Sequence, residues 1–146
     1  MEQKEISTRT GRIVLVELTR KGSNLLEELG YDAKNMIRQF GLLHGFWRNK
    51  VKRHYEKLGY ILTSEKKLNG ERADLIAEKA GEKIAIEIET SKSDAIRNIR
   101  KCLLWEFDLV IVPTNKKSEG GIKSNLIITN LGRDSRVFMT AADQFL

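Results

Sequence analysis

The run Ile84-Ala-Ile-Glu-Ile-Glu89 constrains this chain more than any other. Its β-branched residues at every second position fit a strand, and successive side chains of a strand point to opposite faces. Glu87 and Glu89 therefore share one face while Ile84, Ile86 and Ile88 share the other. The wider stretch, Arg72 to Glu89, reads as two strands joined by a short turn, with Asp74 opening the first. Carboxylates held side by side repel one another unless a cation sits among them, and clustered carboxylate oxygens suit Mg²⁺ or Mn²⁺. The same alternation also fits a plain solvated face on a half-buried strand.

The 146 residues make one domain, or one domain with an appendage. Hydrophobic content of 40% beside charged content of 32% describes a soluble globular chain. No apolar run approaches the roughly 20 residues of a membrane helix. The polar start, Met1-Glu-Gln-Lys-Glu5, lacks the apolar region of a secretion signal, which predicts a cytoplasmic protein. One cysteine, Cys102, excludes an internal disulfide, and with two histidines it leaves too few ligands for a structural zinc site. The net charge of +6 points to nucleic acid as partner ahead of an anionic membrane surface.

Residues 1–9 are polar and read as frayed, followed by a strand over 12–18. Thr19 reads as the cap of a short helix with Leu25, Leu26 and Leu29 on its apolar stripe, ended by Gly30. A helix over 32–40 stops at Gly41, and His44-Gly45 breaks again, so the junction falls in 30–44 and divides 1–43 from 44–146. The next helix, 46–58, carries Trp47, Val51, Tyr55 and Leu58 at core spacing. Its other positions hold Arg48, Lys50, Lys52, Arg53 and Lys57, either a phosphate-binding face or a solvated one. A strand from Tyr60, the hairpin over 71–90, and a helix over 94–105 capped by Ser91 or Ser93 follow, with Ile96, Ile99 and Leu103 facing inward. Phe107 to Pro113 reads as a strand buried on both faces, as in a parallel sheet. The pattern then gives a polar loop over 116–123, a buried strand at 126–129 and a short helix at 140–145. The order α-β-β-β-α-β predicts an α/β domain with a mixed sheet, preceded by a small strand-helix-helix appendage.

That order, with Asp74 thirteen positions before Glu87, resembles the PD-(D/E)xK nuclease superfamily, which includes restriction endonucleases and archaeal Holliday-junction resolvases. The resemblance covers about residues 44–130 and implies a restriction-endonuclease-like core. It implies Asp74 and Glu87 as ligands of Mg²⁺ or Mn²⁺, with the backbone carbonyl of Ile88 as a further ligand. Where the family usually places lysine this chain has Glu89, which would act as base or extra ligand. Lys66, Lys67 or Lys92 could then supply a displaced lysine. Trp47 stands where resolvases carry a metal-supporting glutamate. Ser91, Lys92 and Ser93 precede a helix N-terminus and read as phosphate-holding or as capping residues, while Arg97, Arg100 and Lys101 read as phosphate-following or solvated. His44 and His54 read as surface or packing residues, and Cys102, Trp47 and Trp105 as core. Separately, residues 11–29 resemble the last wing strand and following helix of a winged-helix domain, without a recognition helix. The expected function is a metal-dependent DNA endonuclease, with a homodimer as a plausible assembly for cutting both strands. The alternatives are a nuclease-fold module that binds DNA without cutting it and a regulatory piece of a larger protein.

Overall fold

The polar N-terminus pairs where the sequence reads as frayed. In a computed structural model that describes residues 2–8, 11–17, 20–30, 41–64, 67–68, 71–90 and 94–146, strand β1 (Glu2–Thr8) runs antiparallel to β2 (Gly11–Glu17). The β-branched run at 13–16 offers a regular row of backbone groups, and Lys4, Glu5 and Ile6 register against Leu15, Val14 and Ile13. Helix α1 (Arg20–Glu28) follows. The expected cap at Thr19 and the helix over 32–40 lie outside the described residues. These elements belong to a first compact unit, Met1–Phe46; the second is Trp47–Leu146.

Helix α2 (Gly41–Lys57) runs through Gly45, where the sequence predicted a break. A glycine costs a helix about 1 kcal/mol against alanine, too little to stop one whose next turns bury a core stripe. Trp47 and Val51 are buried, Tyr55 is half-buried, and Leu58 is exposed beyond the helix end. Lys79 Nζ donates to the Leu58 carbonyl at 2.6 Å, and the Tyr55 ring meets Tyr60 and Phe145. The end of α2 is thereby fastened to the sheet and to the C-terminal turn.

The second unit is built on one mixed sheet. β3 (Ile61–Ser64) is followed by a two-residue ladder of β4 (Lys67–Leu68) with β5 (Glu71–Arg72), then by β6 (Leu75–Lys79) and β7 (Glu82–Glu89). Helix α3 (Ala95–Leu104) crosses to β8 (Asp108–Pro113), and helix α4 (Lys116–Ile128) crosses to β9 (Val137–Met139). The spatial order is β3-β6-β7-β8-β9, antiparallel across the first two contacts and parallel across the last two. This is the expected α-β-β-β-α-β order along the chain, with a mixed sheet.

Two expectations for the C-terminal third are overturned. The polar stretch 116–123 and the apolar stretch 126–129 form the single helix α4, with its cap at Thr129. Asn115 accepts from the Ser118 amide at 2.8 Å while Ser118 Oγ accepts from the Asn115 amide, a reciprocal cap that starts the helix despite Gly120 and Gly121. Ile122 and Leu126, one turn apart, are buried in the core, whereas Ile127 and Ile128 are about four-fifths exposed. The fifth strand is instead the three-residue β9, too short to give a periodic signal. Helix α3 is capped by Asp94, which accepts from the Arg97 amide at 3.1 Å, and the two serines expected to cap it lie outside the described residues.

The core lies on the α3–α4 side of the sheet, where Ile76, Ala85, Leu109 and Ile111 meet Ala95, Ile99, Cys102, Ile122 and Leu126. The opposite sheet face is also aliphatic and buried, with Ile86 between Leu75 and Val110 and Ile88 beside Val112. Ile99→Ala should lower unfolding stability by about 2–5 kcal/mol, while Ile127→Ala should change it by less than about 0.5 kcal/mol. Urea midpoints at unchanged slope would check both, and a large loss at Ile127 would contradict the placement of that stretch on α4.

Candidate active site

Antiparallel register brings the acids together. Leu75 pairs with Ile86, so one further step sets Asp74 opposite Glu87. Alternation with Ala85 places Glu87 and Glu89 on the α3–α4 side of the sheet, and Asp74, just beyond the last pair, lies close enough for its charge to act on Glu87. There β6 ends at Leu75 with a bend at Asp74, and β7 runs three residues past its last pairing with β6. The Ile88 amide, left without a strand partner on that edge, donates to Asp74 Oδ2 at 2.7 Å. Because the N–H and C=O of a strand residue face the same edge, the Ile88 carbonyl opens beside the Asp74 carboxylate. On the other edge Thr114 secures β7, its amide donating to the Glu89 carbonyl at 3.0 Å.

The carboxylates are not solvated: Glu87 is 3% exposed and Glu89 1%. A buried carboxylate must find partners, and helix α3 supplies them. Asn98 Nδ2 donates to Glu89 Oε1 at 2.8 Å, Lys101 Nζ lies 3.0 Å from Glu87 Oε1, and the Cys102 thiol lies 3.6 Å from the same oxygen. The spacing explains the fit. Two residues along a strand advance about 6.7 Å and a helical turn about 5.4 Å, so residues 98, 101 and 102 stay level with 89 and 87.

Burial pushes the Glu87 carboxyl up to about 8, with the negative charges of Asp74 and Glu89 adding to the rise and Lys101 opposing it. One ammonium does not offset desolvation and two neighbouring acids. Burial, followed by the charge of Glu87, also pushes the Cys102 thiol up, so it is a protonated core group here. Cys102 is fully buried and Trp47 almost so, as expected, while Trp105 is half-buried against Phe107. His54 stacks edge-on between Tyr55 and Phe145, a packing role.

The other expected site residues are spread more widely. Arg48, Lys52 and Arg53 lie on α2, Arg48 and Lys52 half-buried and Arg53 exposed, with Lys52 3.9 Å from Glu56. Arg97 is exposed on α3 and pairs loosely with Glu71 at 3.4 Å. Ser91, Lys92 and Ser93 lie outside the described residues, as does Lys66. The groups that sequence reasoning did not place at the acids are Asn98, Lys101 and Cys102. Their helical spacing was visible in the sequence, but nothing local in it showed that this face of the helix turns to the two acids.

The donor chemistry suits a hard divalent cation, since the oxygens are carboxylates and a strand-edge carbonyl. As arranged, however, no group of three or more His, Cys, Asp or Glu side chains among the described residues stands ready to hold a metal. An amide holds one Asp74 oxygen and an ammonium one Glu87 oxygen. Asp74, Glu87 and the Ile88 carbonyl are the donors that would suit such an ion.

No family model matches the chain, and no curated protein matches it. Among solved structures, it is similar to a protein of unknown function, AF1548, at 16% identity and a TM-score of 0.44; the match covers 65% of this chain and 57% of that one. It is also similar to an XisH family protein from Nostoc punctiforme, at 19% identity and a TM-score of 0.35, over 68% of this chain and 94% of that one. A third match is an fdxN element excision controlling factor protein from Anabaena variabilis, at 20% identity and a TM-score of 0.39, over 68% and 93%.

A carboxyl raised in the folded protein above its ordinary value contributes stability at acid pH and loses it as pH rises. For Glu87 that contribution should be complete below about pH 4.5 and disappear through about pH 8. Metal-free protein should therefore melt at falling temperature between pH 5 and 8.5, and Glu87→Gln should flatten the curve. Parallel melting curves for the two proteins across that window would refute the assignment.

Proposed function

We propose that the second unit is a metal-dependent DNA endonuclease of the PD-(D/E)xK type. The reading is carried by one observation: Asp74 comes opposite Glu87 at the point where β6 gives way and the Ile88 carbonyl is turned to the same edge. Asp74, Glu87 and that carbonyl would hold Mg²⁺ or Mn²⁺. When bound, such an ion polarises a phosphate and lowers the pKa of a water. The chain's part is to keep the two carboxylates in register on a rigid sheet. Burial around Glu87 and Glu89 sets them in a low-dielectric wall where charge acts strongly. A net charge of +6 favours a polyanionic substrate, and Arg48, Lys52, Arg53 and Arg97 are the residues proposed to follow its phosphates. Ser91, Lys92 and Ser93 remain proposed phosphate contacts on the segment between β7 and α3.

A second reading, a nuclease-fold module that binds DNA without cutting it, is favoured by Glu89. Its carboxylate is buried and bonded to Asn98, so it does not reproduce the lysine that the motif usually has there.

Incubation of the full chain with supercoiled plasmid and with branched DNA, in Mg²⁺ or Mn²⁺, separates the two. The endonuclease reading expects cleavage that falls at least a hundredfold in an Asp74→Ala, Glu87→Ala variant. Binding without cleavage under either metal, with affinity falling steeply as salt rises, would establish the second reading instead.

A further inference from the structure

We infer that Lys101 is a positioning residue of this site: an internal cation that holds Glu87, and that a divalent ion has to displace from Glu87 in order to bind. The inference rests on the metal-site reading above and adds to it what regulates access to the site.

Lys101 differs in placement from the lysines of the chain's surface ion pairs. Its side chain is 13% exposed and that of Glu87 4%, at 3.0 Å between charged atoms, whereas the i,i+4 pairs Lys52–Glu56 and Lys123–Glu119 lie at the surface. A lysine ammonium has three N–H donors. Here they meet three acceptors: Glu87 Oε1, Asn98 Oδ1 at 3.1 Å, and the Arg72 carbonyl. The Trp105 ring lies 5.9 Å from the same nitrogen. These contacts come from β5, β7 and α3, so the ammonium is fixed from three elements and does not sweep through solvent. The acids that face it are Glu87 directly, with Glu89 on the same sheet face and Asp74 close enough for its charge to act on Glu87.

Two cations cannot use one carboxylate oxygen equally. Glu87 Oε1 already receives the ammonium, so an ion joining Asp74 to Glu87 through that oxygen competes with Lys101 for it. Asn98 and the Arg72 carbonyl remain as places for Lys101 to rest once Glu87 is released. Asn98 also bonds Glu89, so movement of Lys101 reaches the third acid through one side chain.

The test is Mn²⁺ binding to the full chain, followed by the electron paramagnetic resonance signal of free Mn²⁺, in wild type and in Lys101→Met, Lys101→Gln and Lys101→Arg. The inference expects both neutral variants to bind Mn²⁺ about tenfold more tightly than wild type, and Lys101→Arg to return to within about threefold of it. Gln keeps hydrogen-bonding capacity without charge, so it reports even if Met fails to fold. A purely structural lysine would leave folded neutral variants binding as wild type does, or more weakly, and that outcome overturns the inference. If binding is present and is lost in Asp74→Ala, Glu87→Ala while the neutral variants gain nothing, Lys101 falls and the metal site stands. If neither wild type nor the neutral variants bind Mn²⁺, both fall together. In Mn²⁺-free buffer the neutral variants should also melt below wild type, with the gap closing when Mn²⁺ is added.

Discussion

Strand β7 lies between β6 and β8, and its acids Glu87 and Glu89 are buried against helix α3. The rest of the unit answers that constraint. Each buried carboxylate must be matched by donors or opposite charge, and helix α3 carries Asn98 and Lys101 on the face it turns to the strand. Register is thereby fixed from two sides. A slip of one residue would bring Ile86 and Ile88 under the polar face of α3 and set Glu87 and Glu89 among Leu75, Val110 and Val112. The acids are thus part of what selects one pairing of the sheet.

Support for α3 follows the same logic. Asp94 starts it by accepting the Arg97 amide, and Arg136 reaches the Leu103 carbonyl near its end. Arg136 is itself held by Asp134, whose carboxyl those hydrogen bonds lower to about 2. Between these ends Ile99 and Cys102 enter the core that α4 completes with Ile122 and Leu126. A helix held at both ends and along one side presents its polar positions at a fixed height above β7, which a site built from two elements needs.

The central part of this arrangement was legible in the sequence because periodicity there is strong and local. Alternation at 84–89, the aliphatic strand at 108–113 and the stripe Ile96, Ile99, Leu103 each report a face directly. The mixed sheet and the expected convergence of Asp74 with Glu87 followed from the element order and the resemblance. Reading failed where local chemistry and tertiary packing oppose each other. Gly120 and Gly121 argue for a loop and Ile127-Ile128 for a strand, yet the cap at Asn115 and burial of Ile122 and Leu126 impose a helix. Burial of Glu87 and Glu89 was equally out of reach, since alternation says that two residues share a face and not what covers it. Lys101 was visible only as a cation on a helix; its partner lies fourteen residues earlier across a crossover whose geometry no local pattern records.

Charge arithmetic on the α3 side gives the site its character. Asp74, Glu87 and Glu89 would carry three negative charges against the one positive charge of Lys101, in a place where burial makes any excess expensive. Burial, with the charges of Asp74 and Glu89 adding to it, pushes the Glu87 carboxyl up to about 8, so a proton on Glu87 relieves part of that excess. In the proposed reading a divalent ion removes the same excess more completely, because its two charges match what Lys101 leaves unbalanced. Proton and metal then become alternatives at one carboxylate, and binding of one releases the other. Glu89 in place of a lysine fits this balance: a lysine on β7 beside Lys101 would neutralise the site without an ion. In that reading, the residue that weakens the likeness to the usual motif is the one that would leave a charge for a metal to fill.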